Sequence, residues 1–308
     1  MLKSGVAVHV MLMASQTVRD LGSEGSSAAV RHPSARRTVV DADQRWHLLD
    51  LRELYDYRDL LWMLALRDLK VRYRQAVIGA AWAVIQPLGT MLLFGVLFDL
   101  LGRKPSSGVL PYSITALCGL LPWQLFASSV TQASASLVNN RHVITKVYFP
   151  RMMLPAASIL CALVDFVIAF GVLAGLMAWY GITPGWPVLA LPIFLGLAVL
   201  TALAAGLWLS ALNALYRDFM YVVPFLVQVG LFLSPVVYET TALIPRHWWP
   251  VYSLNPMVCV LEGFRWSLLG LPAPSPETMA ISLAAGLALL ASGLAFFRRV
   301  EHAIADRI

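Results

Sequence analysis

The chain has 308 residues, of which 59% are hydrophobic and only 13% charged, and its net charge is +6. That charged share is about half of what a soluble domain carries, and a water-surrounded fold could not hide so much apolar surface, so the composition predicts lipid as the solvent. It also argues against nucleic acid as the partner of the positive charge, because basic residues that flank apolar spans mark the cytosolic side of a membrane. The three cysteines, Cys118, Cys161 and Cys259, are odd in number and scattered, which favours packing over a disulfide framework. The six histidines are far apart and give no metal-ligand spacing.

Residues 1–50 read as a polar cytosolic tail without a fixed fold, with Ser26, Ser27, Arg36 and Arg37 typical of it. The apolar stretch from Val6 to Ala14 imitates a signal-peptide core, but it is short, contains His9 and precedes many basic residues that translocate poorly. Residues 51–75 change to an amphipathic pattern. Trp62, Leu66, Leu69 and Tyr73 share one helical face and Arg67, Lys70 and Arg74 another, with Asp56 or Asp59 placed to cap the start. A basic face beside an apolar one with a tryptophan suits a helix lying in the membrane interface; a helix of a small soluble domain is the competing reading.

Residues 76–300 hold the spans. The stretches 76–98, 109–138, 186–215, 219–238 and 278–297 carry no charge, and 152–180 carries only Asp165. Each has the roughly 20 residues a helix needs to cross the hydrocarbon, and helices alone among open structures satisfy their own backbone there. The expectation is an all-α membrane protein with six transmembrane helices. Of the 23 Lys and Arg residues, 12 lie in 1–75, three in 139–151, one in 216–218 and three in 298–308. Arg103, Lys104, Arg246 and Arg265 are left for the opposite side, so both termini are expected in the cytosol, with 301–308 as a cytosolic C-terminus. Between spans five and six, segment 239–277 mixes Trp248, Trp249, Tyr252 and Trp266 with Pro245, Pro250, Pro256 and Pro272, and has an apolar run from Met257 to Leu261. It is expected to form external re-entrant half-helices, since irregular backbone is tolerated at membrane depth where protein covers it.

Enzyme signatures are missing: the chain has no P-loop, no H-E-x-x-H and no G-x-S-x-G. Asp165 is the ionisable residue deep in a span, to be explained by a hydrogen bond to a neighbouring helix or by a role in proton relay or substrate contact. The second span is polar in its inner half, with Ser128, Ser129, Thr131, Gln132, Ser134 and Ser136, which fits either close helix packing or a hydrated wall. Gln86 and Pro87 interrupt the first span, and Pro224, Gln228 and Pro235 the fifth. The loop 139–150 combines Arg141, His142 and Lys146 with Val143, Ile144, Val147, Tyr148 and Phe149, the composition of a compact turn that docks into another protein or lies in the lipid interface.

Taken in order, these segments resemble the membrane subunits of type-2 ABC exporters that move lipid-linked polysaccharides such as O-antigen, capsule or teichoic acid. The residues that carry the likeness are Val71-Arg72-Tyr73-Arg74-Gln75 with Gly79, Trp82, Gln86 and Pro87, and then Gly119-Leu120-Leu121-Pro122-Trp123. They continue through Lys146-Val147-Tyr148-Phe149-Pro150-Arg151, Leu154-Pro155, Tyr216-Arg217-Asp218 and Val223-Pro224 to Ser234-Pro235-Val236-Val237-Tyr238, Asn255-Pro256 and Phe264-Arg265. The resemblance covers about residues 52 to 300 and leaves the N-terminal tail without a counterpart.

The resemblance implies a homodimer in the bacterial inner membrane, bound to two copies of a separate P-loop ATP-binding subunit. ATP and magnesium would be held by that subunit, with no cofactor on this chain. The contact with it would fall on Arg67, Lys70 and Arg74 of the interface helix and on Arg141, Val143, Ile144, Lys146, Tyr148 and Phe149 of the turn. A channel at the dimer axis would be lined by the first, second and fifth spans, with Trp82, Gln86, Phe94, Phe98, Trp123, Phe126, Tyr221, Phe225 and Phe232 as candidates. Rings suit sugars because they offer an apolar face without gripping one hydroxyl pattern, although a ring can equally face lipid or pack.

Three other readings stay open. An export permease for a drug or small lipid would share the turn but need a narrower pathway. An ion-coupled carrier would use Asp165 without an ATPase. A transferase acting on lipid-linked sugars would need an acidic pair on one side, whereas Asp218 and Glu239 fall on opposite sides. A phosphatase reporter fused after residue 308 is expected to be inactive and a fluorescent reporter there to be bright; the reverse pattern would invert the topology.

Overall fold

The computed structural model describes residues 57–74, 81–100, 112–146, 149–236, 238 and 244–307, without the side chains of 98, 99 and 302–307. The tail 1–50 lies outside the described residues, and all described residues belong to one compact unit. Every regular element among them is helical. In chain order these are α1 (Arg58–Arg74), α2 (Trp82–Leu100), α3 (Tyr112–Asn139), the short α4 (Arg141–Ile144), α5 (Met153–Trp179), α6 (Leu191–Leu215), α7 (Phe219–Leu233), the short α8 (Trp249–Tyr252), α9 (Pro256–Leu269) and α10 (Pro276–Arg307). Single 3₁₀ turns, Trp186–Ala190 and Arg246–Trp248, precede α6 and α8.

Four helical stretches are long and apolar enough to cross a membrane: α3, α5, α6 with its preceding turn, and α10. In α3, 72% of the most apolar window is buried, against 33% in α5 and α6 and 28% in α10. This makes α3 the central helix, packed against α5 and α6, with α10 on the far side of α6. Small residues allow the close approach: a Cβ on Gly206 of α6 would stand 2.9 Å from the Ala133 Cβ of α3. Beside that contact the Asn213 side chain donates to the Ser134 carbonyl at 2.9 Å.

The apolar helices α2 and α7 are shorter. The sequence predicts a fifth span running to Tyr238, but α7 stops at Leu233 after 15 residues, a length of about 22 Å. Pro235 is the cause. A residue before proline is pushed out of the α region, and Ser234 is extended at φ −105, ψ 149. The Asn255 side chain then donates to Ser234 Oγ at 2.8 Å, fixing the break.

Segment 239–277 is not a surface loop where it is described. Asn255 accepts from the Met257 amide, Pro256 occupies the first turn and Gly270 closes the helix in the left-handed conformation at φ 67, so α9 has a capped start and a glycine stop. Its apolar run is core: Met257, Val258, Cys259, Val260 and Leu261 are all buried. Arg265 of α9 is only 4% exposed and donates to the carbonyls of Tyr238 (3.0 Å) and Val236 (2.5 Å), so a cation expected on the outer surface instead holds the chain that follows α7. All three cysteines are buried free thiols.

The tightest crossing is at Gly263, where an added Cβ would meet the buried Phe194 ring at 2.2 Å. Gly263→Ala is expected to destabilise the chain by about 1–3 kcal/mol, the usual cost of overpacking. A thermal melt in detergent checks this, and Gly263→Ala combined with Phe194→Leu should recover part of the loss.

Candidate functional site

Helix α1 docks onto the bundle by a face beside the apolar stripe that was expected to lie in the membrane interface. Leu64 and Ala65 are buried, and they join Leu137, Phe149, Met153, Leu154, Ala157 and Cys161 in one cluster with Leu60, Leu61 and Leu69 at its edge. Trp62, on the apolar face expected to lie in the membrane interface, is 58% exposed. The reason is size. Ala65 lets the backbone of α1 come close enough for the Cys161 thiol of α5 to donate to its carbonyl at 3.3 Å, and the bulky Trp62 and Met63 are left outward, where lipid can take them.

At the end of α1 a polar node forms. Arg72 Nη1 donates to Asp165 Oδ2 of α5 at 2.5 Å, Nη2 donates to Gln132 Oε1 of α3, and the Tyr73 hydroxyl donates to Asp165 Oδ1. Burial raises the Tyr73 phenol well above its ordinary range and the Asp165 carboxylate adds to the rise, so Tyr73 stays a donor. Asp165 is therefore held by a neighbouring helix, with both carboxylate oxygens engaged. Its partner Arg72, and Tyr73 beside it, were legible only as part of the string 71–75 that carries the family resemblance; the cue was that one acid in an apolar span requires a cation within reach.

The node forms one wall of a cavity of about 320 Å³ between α1, α2, α3 and α5. Trp82 and Gln86 of α2 and Gln124, Ser128 and Gln132 of α3 complete its polar lining, with Phe166 and Leu121 among the apolar residues. Gln124, Ser128 and Gln132 are spaced by four and so share one face of α3. The polar half of α3 thus divides. Ser134 and Ser136 are buried and donate to the carbonyls of Thr131 and Ala133, which is packing, whereas the Gln124–Gln132 stripe faces the cavity.

The remaining candidates separate. Trp123 and Phe126 pack at 5.4 Å centroid distance and line a second, apolar cavity of about 220 Å³ with Val223, Leu226, Val227 and Gly230 of α7. Phe94 is buried in the main core. Tyr221, Phe225 and Phe232 are exposed on α7. The side chain of Phe98 lies outside the described residues.

On the turn after α3, Arg141 and Lys146 are exposed, Val143 and Ile144 half-buried, and Tyr148 lies outside the described residues. Phe149 is buried beneath the turn, so it supports the surface rather than presenting one. On α1, Lys70 and Arg74 are exposed, while Arg67 reaches Asn140 Oδ1 at 2.5 Å and its own neighbour Asp68 at 2.8 Å. The turn and α1 are thus joined directly.

An apolar helical bundle with a polar cavity between its helices is a multi-pass membrane protein. The family model described as ABC-2 type transporter matches residues 59–269. The chain is 29% identical over 259 residues to the O-antigen export system permease protein RfbA of Myxococcus xanthus, which covers 84% of this chain and 98% of that protein. It is 27% identical over 250 residues to the O-antigen export system permease protein RfbA of Klebsiella pneumoniae (80% and 94%), and 25% identical over 252 residues to the polysialic acid transport protein KpsM of Escherichia coli (78% and 93%). The chain belongs to the ABC-2 type transporter family.

If the Gln124 stripe faces water, a cysteine there will ionise and react. Gln124→Cys and Ser128→Cys are expected to label with a membrane-impermeant methanethiosulfonate in inverted vesicles, whereas Ser136→Cys should stay unlabelled. Equal labelling at all three would erase the division of α3 into a packed and a wet face.

Proposed function

We propose that the chain is the permease subunit of an ATP-driven exporter that carries a lipid-linked polysaccharide across the bacterial cytoplasmic membrane. It works as a homodimer with two copies of a P-loop ATP-binding subunit, and both of its termini are cytosolic. The observation that carries this reading is the near full-length likeness to permeases named for O-antigen export and polysialic acid transport, which extends over the turn and over the helices around the polar cavity. The positive-inside distribution of Lys and Arg supports the orientation. The same likeness supports counting α2 and α7 as spans beside the four long helices, and reading α8 and α9 as re-entrant.

The exposed cations of α1 and of the turn, Lys70, Arg74, Arg141 and Lys146, suit a cytosolic partner better than lipid alone, because they sit on a surface already joined by Arg67 and Asn140. Closure of the ATP-binding pair would push on this surface, and a push can shift the spans only if the contact differs between their states. Trp82, Gln86 and the Gln124 stripe offer hydrogen bonds and one aromatic face, the chemistry a sugar chain needs. Tyr221, Phe225 and Phe232, outward on a single chain, are the rings a second copy would bring to the dimer axis. Trp123 and Phe126 border the apolar cavity, where a lipid-like portion of the substrate fits better than a sugar.

Reversal of two exposed cations, Arg141→Glu with Lys146→Glu, is expected to leave the chain in the membrane and to cut co-purification of the ATP-binding subunit at least tenfold. Phe149→Ala should instead lower the amount of folded chain. Retention of the subunit by the double reversal, together with normal export, would remove the turn from the coupling surface.

A further inference from the structure

Two arginines of α1 make unlike attachments. Arg67 bonds Asn140 at the cytosolic end of α3, and Asn140 in turn donates to the Ser136 carbonyl at 2.9 Å. Arg72, about 7.5 Å further along α1, bonds Gln132 of α3 and Asp165 of α5 with separate nitrogens of one guanidinium. Helix α1 is therefore fastened at two levels of α3, and at the inner level to α5 as well. Among the described residues, the rest of the contact between α1 and the bundle is apolar apart from the Cys161 thiol on the Ala65 carbonyl. Apolar contact resists separation but resists sliding poorly, since it has no preferred direction. A charged fork is directional, and that makes Arg72 distinct from a lysine at the same place.

We infer that Arg72 is a positioning residue for transport: through Asp165 and Gln132 it locks α1, α3 and α5 into one lever, so that motion delivered at the cytosolic turn reaches the polar cavity. This rests on the reading that a nucleotide-hydrolysing partner acts on that turn. The lock stands in the cavity wall itself, opposite Trp82 and Gln86 of α2. Movement of the lever relative to α2 changes the separation of α2 from α3 and α5 across the cavity, whereas sliding of α1 alone would shift only the Arg72 and Tyr73 part of the wall. Asp165 thereby has a task that requires no proton movement. Its two oxygens hold Arg72 and Tyr73, and the carboxylate keeps the guanidinium at membrane depth.

The test measures ATP hydrolysed and glycan sequestered in the lumen of inverted vesicles holding the full complex. Arg72→Gln is expected to keep the ATP-binding subunit bound and hydrolysing while the ATP used per polymer rises at least tenfold. A second variant, Arg72→Cys with Asp165→Cys, should be uncoupled as isolated. It should return to within about threefold of the native ratio once a short bis-methanethiosulfonate links the pair, and lose that gain on reduction. A role in folding alone cannot respond to a linker added after the chain has folded. A native ratio in Arg72→Gln, no response to the linker, or loss of both variants from the membrane would each overturn the inference. A native chain that retains no hydrolysing partner would fail the underlying reading instead, before any variant is compared.

Discussion

A carboxylate at membrane depth has few ways to exist, and Asp165 uses the one that ties three helices together. Its charge sits in an otherwise apolar helix, so it is matched by a cation and by donors whose positions the fold fixes. Arg72 supplies the cation from α1, Tyr73 the second donor, and Gln132 takes the spare nitrogen of the guanidinium. The node draws on three parts of the chain: Arg72 and Tyr73 from α1, Gln132 from the central helix α3 and Asp165 from α5. The attachment of the end of α1 to α3 and α5, and one wall of the polar cavity, follow from satisfying this group.

The helices around it divide their work by what each buries. Helix α3 is central because its small and hydroxyl-bearing residues let α6 approach closely on one side, while its amide stripe lines the cavity on another. Helix α9 packs into the core within the segment where external half-helices were expected. Its capped start and glycine stop make it a complete helix, and the buried Arg265 turns a charge that would otherwise need water into a clasp on the carbonyls of Val236 and Tyr238. In lipid a guanidinium that finds backbone carbonyls is doubly useful, since it satisfies them and is itself satisfied.

The two cavities beside α3 differ in chemistry. One is lined by amides, two hydroxyls and an ion pair together with apolar residues, the other mainly by tryptophan, phenylalanine and aliphatic residues, with Ser234 and Asn255 as its polar members. An amphiphilic cargo presents the same two chemistries, and a protein that carries it needs both without allowing either to fall into the wrong medium. Of the candidate rings, Trp82 belongs to the first cavity, Trp123 and Phe126 to the second, and Phe94 to the core.

Apolar content, the lengths of the long helices and the placement of the basic residues could be read directly along the chain, because a helix in lipid satisfies its own backbone and needs no partner to be recognised. The ordered segments from α1 to α9 were likewise enough to point to the family. What stayed hidden depended on contacts between distant residues. That Trp62 faces outward while Ala65 packs turns on how closely α5 can approach, and that Pro235 ends α7 rather than bending it turns on Asn255, twenty residues later. The lone acid in α5 was visible as a problem; its solution in Arg72 was not, because nothing in a one-dimensional pattern says which of seventeen upstream Lys and Arg residues will reach it. Electrostatic pairing acts through space, and only the tertiary structure sets that distance.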